Sequence, residues 1–136
     1  MDDDNFEAEC DRLSRVIDPK GAEEREWAAT GGGLIDEAVR FAQLAFEPRP
    51  DLFLVEAPSI DRKRFFTIAT AQTGGIDIVK IGFNAQGSSV IIWAENLPSS
   101  PAATILKKHF DIEGRLLNGV WVKSVLAQIL ASVEPR

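Results

Sequence analysis

The sequence predicts an α+β domain, with helices at both ends and a four-stranded antiparallel meander between them. Three observations predict it. Apolar residues recur at helical spacing ahead of Glu47 and again beyond Asn118. Between residues 52 and 94 the period becomes that of strands. The connections inside that stretch are short and carry glycine, which joins antiparallel neighbours.

The first helix is expected over residues 5–17. Asp4 precedes it with Glu7 three residues on, in the manner of a capping box, and Phe6, Cys10, Leu13 and Ile17 recur on one face. Cys10 falls on that stripe and reads as a buried small hydrophobe. Asp18-Pro19-Lys20-Gly21 is a stop. Residues 22–30 form a short charged helix, interrupted by Gly31-Gly32-Gly33. The segment 34–46 has a broad apolar face (Leu34, Ile35, Ala38, Val39, Ala42, Ala45, Phe46) and ends before Pro48 and Pro50. Asp36 and Glu37 fall in its first turn, where the helix dipole favours acids.

Strands are expected over residues 52–57, 62–71, 76–83 and 89–94, with turns at 58–61, 72–75 and 84–87. Alternation is blurred in the third and fourth strands, where both faces carry apolar residues. Either helices from the two ends of the chain cover both faces, which is the leading expectation, or another molecule covers one of them; Trp93 is expected in the sheet core. Ser100 and Pro101 predict a helix over 102–110, followed by a loop. Asn118 caps a final amphipathic helix through Val122, Val125, Leu126, Ile129, Leu130 and Val133. This gives N-terminal helices, four strands and two C-terminal helices in a single domain over 1–136. The body spans 34–136, and the glycines leave the acidic segment 1–30 free to move against it.

Composition narrows the function. At 136 residues with 45% hydrophobic content, the chain can bury a core, but it is too short for a TIM barrel. One Cys and one His exclude an intrachain disulfide and a Cys-based or multi-His metal site. The longest apolar run, residues 90–94, is far short of the roughly 20 residues a membrane helix needs. The acidic first residues are unlike a signal peptide, so the expected location is cytoplasmic. No cofactor is implied. The net charge of −6 is confined to residues 1–26, which hold ten acids and four bases; the remaining eleven acids and eleven bases cancel. Such an acidic arm on a neutral body can steer a basic protein partner, while nucleic-acid binding lacks the basic charge it needs.

Candidate chemistry is sparse. Asp51, Asp61 and Lys63 imitate a nuclease pattern, but the two acids begin successive strands and would stand about 20 Å apart. Thr30-Gly31-Gly32-Gly33 lacks the lysine and the preceding strand of a phosphate loop. His109 and Asp111 lie two apart on an expected helix end, where they do not face one another. Arg62-Lys63-Arg64 is a basic cluster able to meet phosphate or the acidic helices.

The leading expectation is a non-catalytic interaction protein such as an inhibitor, immunity protein or chaperone. Its docking residues would be Glu23, Glu24, Glu26 and Trp27, with an apolar surface beside them. In layout the chain resembles bacterial secretion chaperones and small immunity or inhibitor proteins, a likeness of element order carried by no motif. A homodimer is among the expected assemblies, and no membrane partner is. The alternatives are a ligand-binding domain or enzyme using Lys80, Glu95 and His109 in a pocket between sheet and helices, and a structural subunit of a larger assembly.

Overall fold

The helical spacing ahead of Pro48 resolves into three helices in the computed structural model, which describes residues 3–71 and 75–136. They are α1 (Asp3–Ile17), α2 (Pro19–Ala29) and α3 (Gly31–Phe46). Asp18-Pro19 does two jobs. It ends α1, and it starts α2, because the Asp18 carboxylate accepts from the Gly21 amide (3.1 Å) with Pro19 at the first helical position. The three glycines do not break the chain between two helices; they are the first turn of α3. Asp36 and Glu37 consequently lie one turn further in than expected. The glycines are there for close approach: the Trp27 ring lies against Gly31 and Gly32, and a Cβ at Gly31 would collide with it.

The strands are β1 (Leu52–Ile60), β2 (Lys63–Thr70), β3 (Asp77–Gln86), β4 (Ser89–Glu95), β5 (Ala102–Thr104), β6 (Phe110–Glu113) and β7 (Val133–Pro135). The main sheet has five antiparallel strands in the order β1-β2-β3-β4-β6, one more than the predicted meander. β1 runs through Pro58 and Ser59, and the first hairpin turns at Asp61 and Arg62, both at positive φ as a two-residue hairpin requires. Residues 72–74 of the turn expected at 72–75 lie outside the described residues. The third hairpin turns at Gly87, also at positive φ.

The largest departure is after β4. The helix expected over 102–110 is replaced by β5, an extended loop and β6; a single 3-10 turn (Gly114–Leu116) follows, and α4 (Gly119–Ala131) is the one α-helix beyond β4 among the described residues. Tertiary partners explain the change. Asn96 acts as a strand partner for Thr104, accepting from its amide (2.7 Å) and donating to its carbonyl (3.0 Å). β5 then pairs with β7. Ser100 is buried and bonds away from a helix cap: its hydroxyl donates to the Ile78 carbonyl (2.7 Å) and accepts from Ala102 N–H (3.1 Å). Ile78 is the extra residue where the β2–β3 register shifts, so Ser100 satisfies a carbonyl at the bulge. Asn118 caps α4 as expected, accepting from Trp121 N–H.

α3 and α4 pack on one face of the sheet. Ile35, Ala38, Val39 and Ala42 of α3 and Val122, Val125 and Ile129 of α4 meet Phe66, Ile68, Val79, Ile81, Phe83, Val90, Ile92 and Phe110. Phe66, Phe83, Ile68, Ile81 and Ile92 are fully buried, each contributing roughly 1.5–3 kcal/mol. Arg64 ties the layers at one corner, donating to Asp36 on α3 (2.8 Å) and Glu56 on β1 (2.9 Å). Helices do not cover both faces as expected. The other face leaves Phe53 and Val55 over two-fifths exposed and carries Trp93, which is half-buried there rather than in the core.

Candidate functional site

Two surfaces hold the residues that the sequence singles out. The first is the pair α1–α2. α1 is amphipathic, and such a helix ordinarily buries its apolar stripe. Here it packs the other way round. Asp11, Ser14 and Arg15 of α1 face Ala22, Arg25, Glu26 and Ala29 of α2, and Arg15 reaches Glu26 at 3.3 Å. The stripe points outward: Phe6, Leu13, Val16 and Ile17 are 60%, 52%, 66% and 71% exposed. Cys10, on the same stripe, is exposed and not the buried residue the spacing predicts.

Glu23, Glu24, Glu26 and Trp27 all lie on α2. The three glutamates are exposed. Glu24 pairs with Arg62 in the first hairpin turn (3.3 Å) and Glu26 with Arg15, whereas Glu23 makes no ion pair among the described residues. Trp27 is half-buried, held between Gly31, Gly32 and the Arg62 guanidinium, which stands 4.9 Å from its ring centroid. The basic cluster thus divides. Arg62 serves the acidic helices and Arg64 the corner between α3 and β1.

The second surface is the uncovered face of the sheet, and it gathers Lys80, Glu95 and His109. Lys80 and Glu95 are directly opposite across β3 and β4. They are not joined to one another. Lys80 places its ammonium 4.5 Å from the Phe65 ring centroid, and Glu95 accepts from the Trp93 indole N–H (3.2 Å). His109 stacks on Trp93 at 5.3 Å with the rings tilted by 32°, and Phe65 meets the same indole edge-on at 5.9 Å. The cluster is therefore centred on Trp93. Sequence reading placed that residue in the core, and the signal that separates the two sites is its pairing with Gly82, the one position on β3 where an indole can lie against backbone.

His109 and Asp111 are also placed differently from the prediction. They flank Phe110 on extended chain, so residues two apart share a face. A cleft of about 480 Å³ beside the cluster is lined by Glu95, Asn96, Lys107, Lys108 and His109 with Trp93 at its wall. Chemically the arrangement is an aromatic platform beside Lys80 and Glu95, with Lys107, Lys108 and Asp111 near its edge, suited to contact. Among the described residues, no three of His, Cys, Asp and Glu converge closely enough to hold a metal ion. No described helix is long and apolar enough to cross a membrane.

No family model matches the chain, and neither a curated protein nor a solved structure matches it.

Proposed function

We propose that this chain is a non-catalytic interaction protein, acting as an inhibitor, immunity protein or chaperone, that docks another protein through its N-terminal helices. One observation carries the reading: α1 turns its polar side to α2 and its apolar stripe to solvent. Apolar side chains on one helical stripe are the anchors of helix-in-groove recognition. Phe6, Leu13 and Ile17 recur at the spacing of such anchors. The net −6 charge of residues 1–26 surrounds them, so the matching groove is apolar with a basic rim. Glu23 adds to this field, while Glu24 and Glu26 also brace α2 from within. A free, exposed thiol at Cys10 supports a reducing, cytoplasmic setting for the complex.

The test is affinity capture from host lysate with the full chain and a Phe6→Ser/Leu13→Ser/Ile17→Ser variant, at low and high salt. The variant's stability should change little, within about 0.5 kcal/mol per position, because these side chains are already in water. One stoichiometric protein, retained by the native chain and lost in the variant and at high salt, is the expected result. Equal capture by both proteins would remove the stripe from the reading.

A further inference from the structure

We propose that the uncovered face of the sheet is an interface between two copies of this chain, related by a two-fold axis running along the strands between β3 and β4. The inference concerns a different surface from α1 and stands apart from the docking reading.

Charge placement identifies the occupant. A patch meant for a partner of one sign would carry the other sign. This face carries both, at positions directly opposite each other in the register: Lys80 on β3 and Glu95 on β4. A nearest-neighbour cation and carboxylate would ordinarily pair across the strands. These two do not; each is turned onto an aromatic ring of the same face, Lys80 onto Phe65 and Glu95 onto Trp93. Both therefore keep charge available above the sheet.

Symmetry then makes the match. In a two-fold contact, residue i meets the partner's j, and j meets the partner's i. When the axis lies in the plane between two facing sheets and along the strands, each residue stands over the partner's copy of its own cross-strand neighbour. The β3–β4 register pairs Lys80 with Glu95, Gly82 with Trp93 and Asn84 with Ile91. Lys80 consequently faces the partner's Glu95, twice per dimer. The two indoles, each lying across its own Gly82, come side by side over the axis. The strands of the two sheets stay aligned to within about 30°, the common arrangement for stacked sheets.

With the axis between β3 and β4, each copy's β2, β3, β4 and β6 overlie the partner's β6, β4, β3 and β2, and β1 lies outside the overlap. Long-range charge agrees. Outside residues 1–26 the eleven acids and eleven bases cancel, so the facing bodies do not repel. Ile91 supplies apolar surface beside the central indoles, and such aromatic centres dominate interface energies.

The experiment is sedimentation velocity over a concentration series, on the full chain and on Lys80→Glu, Glu95→Lys and the Lys80→Glu/Glu95→Lys double variant. Circular dichroism confirms that each is folded. The native chain should dimerise. Each single reversal sets like charges together at both contacts and should weaken the dimer on the order of a hundredfold. The double reversal restores opposite charges and should recover most of that loss. A chain monomeric at every concentration overturns the proposal. So does a dimer indifferent to the single reversals, or a double variant as weak as the singles. Lysate capture through α1 is unaffected by any of these outcomes, so the two readings fail separately.

Discussion

Trp93 and Gly82 are cross-strand partners, and the indole lies across the glycine so closely that a Cβ there would overlap its six-membered ring. This relationship organises the open face. It sets the ring where Phe65 reaches it edge-on, His109 stacks on it and Glu95 accepts its N–H. Without a side chain at residue 82, a large indole at 93 is half-buried by its own sheet.

Gly82→Ala should therefore displace the indole. Overpacking of this kind costs about 1–3 kcal/mol. The melting temperature should fall, and the Trp93 indole N–H resonance should move as its bond to Glu95 is lost. An unchanged resonance with unchanged melting would mean that the ring does not rest on the glycine in solution.

Trp27→Ala tests the other prominent indole. On sequence grounds it reads as an exposed anchor, whose removal costs binding and little stability. The structure sets it against Gly31, Gly32 and Arg62, at the junction of α2, α3 and the first hairpin. Its loss should thus destabilise the chain by about 1–3 kcal/mol, part of the value for a fully buried Trp. Thermal or urea unfolding reads it. A native-like midpoint would return Trp27 to the surface.

How far the sequence discloses this molecule depends on whether a signal is local. α1, α3 and α4 are legible because their apolar spacing is carried within each helix. The first four strands are legible because their residues have the strand period, although β1 runs on through Pro58 and Ser59 and β3 through Gln86, past the expected turn positions. Residues 102–110 are not: Ser-Pro looks like a helix start, and what overrides it is Asn96 pairing with Thr104 and β7 arriving from 29 to 33 residues later. The sequence also shows an amphipathic α1 without showing which way it faces, since a stripe is compatible with burial or display. Lys80, Glu95 and His109 were visible as polar residues near a sheet. Their shared centre was not, because Trp93 lies inside an apolar run, residues 90–94, that reads as core.

Ser100 is the side chain that replaces a helix cap with a sheet contact. Its hydroxyl donates to the bulge carbonyl of Ile78 and accepts from Ala102 N–H, and it is buried. Ser100→Ala leaves both groups without that partner and should cost about 1–3 kcal/mol. Hydrogen exchange should rise at Ala102 and along β5, with the centre of the sheet unaffected. If exchange at Ala102 stays slow, another group satisfies its amide.

Asp51 gives a pH dependence whose sign is fixed. Arg49 donates two hydrogen bonds to it, at 3.0 and 2.8 Å. Those bonds, with a smaller direct charge attraction, hold the Asp51 carboxyl below its usual range and raise the Arg49 guanidinium above its own. Depression of a carboxyl in the folded state means that folding favours its ionised form. The contribution is complete above the unfolded carboxylate range and is lost as pH falls through the lower folded value. Both groups are fully exposed, so the effect belongs to the titration itself and not to any large change in stability. Carbon-detected NMR titration of Asp51 should show a depressed midpoint, and Arg49→Ala should return it to that of an ordinary aspartate. A midpoint unmoved by Arg49→Ala would show that the pair, which bridges the end of α3 to the start of β1, is open in solution.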